Sequence, residues 1–407
     1  MLFIAGGLMV GLAAVGFAML ADTVQAGFQR LLALSPWVPL AVTPLGFVVS
    51  AFVSRRYFPG SGGSGIPQAI AARALRDETE RRRLVSLRVA VGKVALTAFG
   101  LLCGASIGRE GPTVQLGASI MYAVGHISPR RQRGLILAGS AAGVAAAFNA
   151  PLAGIVFAIE EMSRSFEQRT TGLVIGTVIA AGLVALAVQG NHSYLGSTGL
   201  TLHGPRAWLA VPLCGMVGGL GGGLFSRLVV LCAAPWPRLA WLKARPMLFA
   251  GLCGLAMALC GAASAGAVYG TGYAQVLGML DGSHPALPSF GMLKFVATLA
   301  SAVSGIPGGI FSPSLAVGAG IGADLSALSG GVPLPVMVVL GMVAYFSGVV
   351  QAPITAFVIV TEMTDNNALV VPLMLAALIA YAVSRLICPE GIYHALSRNY
   401  LPAGHSH

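Results

Sequence analysis

Long stretches without a charged residue dominate this chain. No Asp, Glu, Lys or Arg interrupts residues 1–21, 31–54, 134–159, 170–205, 246–280, 295–323, 325–361 or 366–384. A membrane-spanning helix needs about 20 apolar residues, so each stretch is long enough for at least one helix. The alternation of apolar and polar residues that is typical of a membrane β-barrel is missing. The pattern therefore predicts an all-α polytopic protein in a lipid bilayer.

Glycine and proline recur inside these apolar stretches, with 55 Gly and 23 Pro in 407 residues. Broken helices are tolerated at membrane depth only where they line protein or a water-filled cavity, because an unpaired backbone group is costly in hydrocarbon. We therefore expect roughly a dozen or more helical segments, some of them too short or too broken to cross the bilayer.

The amount and placement of charge support the same fold class. Charged residues make up 9% of the chain, whereas a soluble domain has about 25%. The basic residues behind the net charge of +11 cluster in short linkers at 73–88, 130–133 and 227–245, so they indicate cytoplasmic loops rather than a nucleic-acid partner. We expect a multi-pass protein of the cell membrane (the inner membrane in a bacterium), with cytoplasmic termini and no soluble domain.

The cysteines and histidines do not suggest a metal or redox site. The six Cys are scattered through apolar surroundings, and the seven His lack the spacing of metal ligands. Cysteine in such surroundings usually behaves as a small buried hydrophobe. We expect the protein to need neither a metal nor a cofactor.

A weak internal repeat divides the chain at its middle. The motifs that begin at Gly108 and Gly309 align at an offset of 201 residues, with Gly, Pro, Gly and Ala coinciding. Those that begin at Asn149 and Gln351 align at an offset of 202, and each runs on through an apolar segment to a glutamate. Transporters are often built from two related halves that meet at a pseudo-twofold axis. The repeat predicts two transmembrane halves, 1–200 and 201–407.

Proline marks the expected starts of several helices. Pro is well suited to the first helical turn. A proline precedes a largely apolar run at five positions, which are Pro67, Pro112, Pro151, Pro313 and Pro353. A helix N-terminus presents unpaired N–H groups and about half a positive charge. Several such ends aimed at one point inside a membrane would bind an anion without a full cation.

Three of these motifs resemble the anion-pathway signatures of the CLC family of chloride channels and chloride/proton antiporters. They are Gly-Ser-Gly-Ile-Pro at 63–67, Gly-Arg-Glu-Gly-Pro at 108–112 and Gly-Ile-Phe-Ser-Pro at 309–313. Tyr393 matches the family's tyrosine near the last helix, and the order fits along almost the whole chain. The resemblance implies a homodimer in which each subunit moves chloride and protons between two inverted repeats.

The resemblance also implies which groups bind a central chloride. The Ser64 hydroxyl and the Tyr393 phenol would each donate a hydrogen bond to it. Backbone N–H groups of Ile310 and Phe311 would complete the site.

Glu110 resembles the gating glutamate of the family, which takes an anion site when ionised and swings away when protonated. The resemblance implies an outer chloride site that is lined by the N–H groups around Arg109, Glu110 and Gly111. Independently of the family, a carboxylate at a helix N-terminus in an anion pathway competes with chloride for the same donors. Proton binding and anion binding are then coupled, and the coupling is reciprocal.

Two adjacent acids inside the membrane are candidates for proton transfer, because such acids are costly there and usually functional. Glu161 resembles the inner proton-transfer glutamate of the family's exchangers, and we expect Glu160 to line the same water route. Lys93 lies seventeen residues before Glu110, where the family also has a lysine, and a buried cation there would favour anions.

The function that the sequence predicts is chloride/proton antiport. An uncoupled chloride channel of the same family, gated by voltage or pH, is the alternative. An intramembrane hydrolase built on Ser329 is disfavoured because no histidine stands at helical spacing on a later helix. A purely structural scaffold would not need acids inside its helices. We therefore expect a transport protein without enzymatic activity.

Overall fold

The computed structural model describes residues 2–125, 131–163, 168–190, 193–202, 204, 207–234, 240–283, 287–329 and 331–402. Within these ranges the chain forms helices joined by irregular segments, and its strand-like pairing is confined to two isolated bridges between loops. The predicted all-α fold is confirmed.

Helices run through both halves of the chain. The first half contains α1 Leu2–Leu34, α2 Val38–Tyr57, α3 Ile66–Ala74, α4 Glu78–Leu84, α5 Leu87–Leu102, α6 Glu110–Gly125, α7 Gln132–Phe148, α8 Pro151–Phe157 and α9 Gln168–Gln189. The second half contains α10 Ala210–Ala233, α11 Ala240–Lys243, α12 Pro246–Ala263, α13 Tyr273–Asp281, α14 Phe290–Val303, α15 Phe311–Ser326, α16 Leu334–Val350, α17 Pro353–Thr364, α18 Val370–Ile387 and α19 Ile392–Ser397.

Several of these helices can cross a membrane, and others are too short. By length and composition, seven segments of the described chain are long and apolar enough to span. The apolar helices α14, α16 and α17 are shorter. Pro151 and Pro353 are the first residues of α8 and α17, and Pro67 is the second residue of α3. Both predictions, of broken or short helices and of proline at helix starts, are confirmed.

The centre of the molecule consists of α7 and α16, which are buried along almost their whole length. A helix that is apolar on all sides is expected to lie in such a position. A side-chain carbon added to Gly117 of α6 would clash with the carbonyl of Gly139 of α7. One added to Gly139 would likewise clash with the carbonyl of Gly117. Gly318 of α15 and Gly341 of α16 have the same relation. Small residues thus let both helix pairs approach backbone to backbone.

This packing brings the starts of α3, α6 and α15 together. Gly63 N–H donates to the Ile306 carbonyl at 3.1 Å, and the Gly63 carbonyl accepts from Gly308 N–H at 3.0 Å. Gly108 and Gly309 exchange two backbone hydrogen bonds of 2.8 Å. The loops before the three helices are therefore fixed to one another.

Candidate functional site

The three sequence motifs meet at Gly111, near the start of α6. A side-chain carbon on Gly111 would lie 2.5 Å from the Ser64 hydroxyl oxygen and 3.3 Å from the Cα of Gly309. Only glycine allows so close an approach. The fold thus brings Ser64, Glu110 and the loop before α15 to one point of the protein, although they are far apart along the chain.

Glu110 is fully buried, and its carboxylate lies at the N-terminus of α15. The Ser312 hydroxyl donates to its Oε1 at 2.6 Å, and Ser312 N–H donates to its Oε2 at 3.4 Å. An acid from the first half of the chain therefore takes the place that an anion would take at a helix N-terminus of the second half. Ser312 is not among the residues predicted from the sequence, although its position just before Pro313 in the third motif could have indicated it.

Two hydroxyl groups lie beside this point. Ser64 and Tyr393 are neighbours, and their hydroxyl oxygens are buried, but neither forms a hydrogen bond of standard geometry within the described chain. A buried polar group without a partner is costly, so a ligand that accepts from both would be stabilised. The ring of Phe311, at the start of α15, packs 5.9 Å from that of Tyr393, and Ile310 is buried directly before it. The structure thus brings all four predicted central-site residues together.

Arg109 turns away from its neighbour Glu110. Its guanidinium donates to the Ala18 carbonyl and to the Asp22 carboxylate, both at 2.8 Å, and to the Tyr194 hydroxyl at 3.4 Å. The ion pair therefore joins the start of α6 to α1. Nothing in the sequence indicates Asp22 as the partner.

Lys93 lies behind the loop that carries Ser64. It is fully buried, and its ammonium donates to the carbonyls of Gly63 at 2.7 Å and Gly62 at 3.3 Å. Gln68 donates to the Gly62 carbonyl at 2.5 Å from the other side. Both contacts hold the loop in place, and they leave its Ser64 side open.

Glu161 is buried, with 4% of its surface exposed. Glu161 stands on the π-helical segment Ala158–Ser163 that continues α8. A His394 ring nitrogen lies 2.9 Å from the Glu161 carbonyl and 3.8 Å from its carboxylate. His394 is the sequence neighbour of Tyr393, so α19 contributes both to the group of residues around Ser64 and to the surroundings of Glu161.

Glu160 points in a different direction from Glu161. Its carboxylate accepts from the backbone N–H groups of Ile354 at 3.0 Å and Thr355 at 2.6 Å, in the first turn of α17. The water route that was expected along Glu160 stays a prediction.

The site is open on one side and narrow on the other. A cavity of about 450 Å³ reaches Ser64 and is lined by Arg55, Gln68 and Tyr400, among others. Beside Ser312 the space is only about 20 Å³. There Tyr273 donates to the Tyr194 carbonyl at 2.9 Å, and the two rings pack edge to face at 5.0 Å.

The cavity at Ser64 opens on an arginine-rich face of the protein. Tyr400 also lines a neighbouring cavity that is bordered by Arg82, Arg83 and Arg88. A diffusing anion is attracted to such a face. The cavity thus connects Ser64 with the arginine-rich side of the protein, whereas Tyr194 and Tyr273 line the narrow space beside Ser312.

Comparison with known proteins gives a consistent result. A family profile described as voltage gated chloride channel matches residues 45–385. The H(+)/Cl(-) exchange transporter ClcA of Yersinia pestis biovar Antiqua is 32% identical over 96% of this chain and 85% of its own length. The protein of the same name from Cronobacter sakazakii is 33% identical over 96% and 87%.

A solved structure agrees over the whole chain. The X-ray structure of a slow cyanobacterial Cl-/H+ antiporter matches with a TM-score of 0.82 at 26% identity, and the match covers 100% of this chain and 98% of that one. The motifs, the helices that they begin and these relatives lead to one assignment. This chain belongs to the voltage-gated chloride channel family, the CLC family that its sequence resembles.

Proposed function

We propose that the chain exchanges chloride for protons across the membrane. The observation that carries this proposal is the buried Glu110 carboxylate at the N-terminus of α15, next to Ser64. When it is ionised, this carboxylate occupies donors that an anion would use; when it is protonated, it loses its charge and releases them. Proton uptake and chloride release at one place are thereby linked. The names of the relatives, which are exchange transporters, support this function.

Chloride binds in this proposal between the hydroxyls of Ser64 and Tyr393 and the N–H groups of Ile310 and Phe311. The two buried hydroxyls support the central site, because neither forms a hydrogen bond of standard geometry within the described chain. An outer site, lined by N–H groups at 109–111, is the one that Glu110 blocks when ionised. The cationic groups of Arg109 and Lys93 have other partners, and their absence from the site favours quick release, because conduction needs binding that is weak enough to let the ion leave.

Glu161 serves as the inner proton-transfer residue. A row of bound anions and N–H donors offers no acceptor to a proton, so the proton needs a separate route to Glu110. The burial of Glu161 and its position beside His394 and Tyr393 support this role. An uncoupled channel moves no protons and would not need an acid at position 161. The presence of Glu161 therefore favours the antiporter over the uncoupled channel.

The assembly and orientation follow from the family and the charge pattern. We infer a homodimer with one pathway in each subunit, built from two inverted repeats over 1–200 and 201–407. The arginine-rich face with Tyr400 would be cytoplasmic, together with both termini. A hydrolytic role for Ser329 finds no support, because its hydroxyl donates to the Ser326 carbonyl at the end of α15.

Reconstitution into liposomes tests the proposal. A chloride gradient across liposomes that hold the purified protein should drive protons uphill in the opposite direction, as recorded with a pH-sensitive dye. Protein-free liposomes and the Glu110→Gln variant are the controls. Chloride flux without any driven proton movement would show that the protein is the uncoupled channel.

A further inference from the structure

Two glutamates, one just after α8 and one near the end of α17, each bind the first turn of the other helix. Glu160, which follows α8, binds the first turn of α17 through Ile354 and Thr355. Glu362, near the end of α17, binds the first turn of α8: its Oε1 accepts from Leu152 N–H at 3.1 Å and its Oε2 from Ala153 N–H at 2.7 Å. Each carboxylate uses both oxygens, and each holds two N–H groups that its target helix cannot satisfy internally.

The two contacts match each other residue by residue. The acids, and the N–H groups that they bind, are each 202 residues apart, which is the offset of the sequence repeat that contains Pro151 and Pro353. The N-terminus of each helix meets the C-terminal part of the other, so the two helices run antiparallel.

Helix electrostatics explain why this reciprocal contact is stable. A negative charge near the C-terminal end of a helix is opposed by that helix's own dipole, whereas a helix N-terminus favours it. Glu362 stands in the last turn of α17, yet it faces the positive end of α8. Charge-assisted hydrogen bonds to an ionised carboxylate are stronger than hydrogen bonds between neutral groups. An acid inside a membrane protein needs such partners, because an unpaired charge there is costly.

The contact at Glu160 lies immediately beside Glu161. The backbone of this segment is held at two further points, where Arg73 donates to the Met162 carbonyl at 2.7 Å and His394 contacts the Glu161 carbonyl. A shift of α8 along α17 would therefore move Glu161 relative to α19, which carries Tyr393.

We propose that Glu160 and Glu362 form a reciprocal clasp that fixes α8 against α17 and positions Glu161 for proton transfer. Glu160 is then a positioning residue and does not line the proton route. The functional part of this inference rests on the proposed antiport, whereas the clasp itself does not.

Glutamine substitutions in liposomes separate a clasp from a proton route. An amide has one acceptor oxygen and a donor NH₂ group that faces the second N–H, so Glu160→Gln and Glu362→Gln each break one side of the clasp. Both variants should lower the number of protons moved per chloride, at least two-fold and by similar factors, while protons still move. This ratio does not depend on how much protein is folded. Glu80→Gln, on α4, is the control.

Two outcomes of the transport experiment would overturn the proposal. If Glu160→Gln abolishes proton movement while Glu362→Gln matches wild type, Glu160 lies on the proton route. If both variants keep the wild-type ratio, the clasp does not position Glu161. If a glutamine variant fails to fold, Glu160→Asp or Glu362→Asp is used in its place, because aspartate keeps the charge but has a shorter side chain.

Hydrogen–deuterium exchange tests the clasp without any transport. Glu362→Gln should speed exchange about ten-fold or more at the amides of Leu152 and Ala153 on the other helix, and Glu160→Gln should do the same at Ile354 and Thr355. Unchanged exchange at these amides would refute the clasp even if antiport is confirmed. Wild-type protein that moves no protons would refute the proposed antiport and leave the exchange result standing.

Discussion

The carboxylate of Glu110 is held by two donors of one residue, the hydroxyl and the backbone N–H of Ser312. Both are groups that bind an anion as readily as a carboxylate. Its basic neighbour Arg109 is occupied by Asp22. Glu110 is thus held at the start of α15 by hydrogen bonds rather than by an ion pair with Arg109, and in the proposed exchange protonation weakens these hydrogen bonds.

Glu110→Gln keeps the shape of the side chain and removes its titration. We expect chloride flux to persist and to lose its pH dependence, while proton transport falls below detection. Parallel chloride and proton flux measurements across a pH series check this, with Glu80→Gln as the control. Proton movement that survives the substitution would mean that Glu110 only caps a helix.

The Ser64 hydroxyl offers a donor to a small spherical anion. A hydrogen bond to a charged group contributes about 1.5–3 kcal/mol, so Ser64→Ala should weaken chloride binding about ten-fold or more. Ser64→Pro should raise the preference for nitrate over chloride, because nitrate-preferring members of the family carry proline there. Calorimetry and flux ratios measure both effects, with Ser329→Ala as the control. Unchanged affinity and selectivity would remove Ser64 from the site.

At the level of helices, glycine contacts set how closely the central elements pack. α6 crosses α7, and α15 crosses α16, with a glycine of each helix against a carbonyl of its partner. These four helices carry or support the loops that meet at Gly111. Their separation therefore determines whether Ser64, Glu110 and Ser312 lie within reach of one another.

Alanine at these crossings should destabilise the protein. Gly→Ala inside a helix is normally favourable by up to about 1 kcal/mol, but at Gly139 or Gly341 the added carbon meets backbone that cannot move aside. We expect a loss of about 1–3 kcal/mol, which is typical of overpacking, and a lower midpoint of thermal unfolding in detergent. Gly16→Ala, where nothing lies within 4 Å, is the matched control. Equal midpoints for all three variants would contradict the assignment.

The whole molecule has two unlike sides. The cavity of about 450 Å³ leads to Ser64 from the arginine-rich face, while Tyr194 and Tyr273 cover the narrow space beside Ser312. Glu161 lies apart from this cavity, next to His394 on α19. Chloride and protons would share Glu110 and differ in how they reach it from the inner side.

Separate inner routes predict separable transport. Glu161→Gln should abolish proton coupling while chloride transport continues at a similar or reduced rate. The double variant with Glu110→Gln should be no worse for protons than either single variant, as expected for two stations on one relay. Liposome assays of both ions decide this, with Glu362→Gln as a comparison in which coupling is weakened but present. Proton coupling that persists in Glu161→Gln would place the inner proton residue elsewhere.

The sequence determined the features that depend on local chemistry. Uncharged runs of about 20 residues require helices in a membrane, and Pro151 and Pro353 begin helices because their fixed φ suits the first turn. The three Gly- and Pro-containing motifs marked helix starts that could bind an anion, and their resemblance to the CLC family implied Ser64 and Glu110 as site residues. The sequence repeat with an offset of 202 residues also paired α8 with α17, whose first turns each bind a glutamate from the other helix's C-terminal side.

Which side chains meet depends on how the helices pack in three dimensions. The partners Ser312, Asp22 and Thr355 lie 202, 87 and 195 residues away in the chain from Glu110, Arg109 and Glu160, respectively. The type of a residue does not reveal which distant residue it will contact. Glu160 and Glu161 look alike in sequence, yet one binds the start of α17 and the other faces His394, because adjacent residues on a helix point in different directions. The roles of the two acids therefore depend on how α8, α17 and α19 pack.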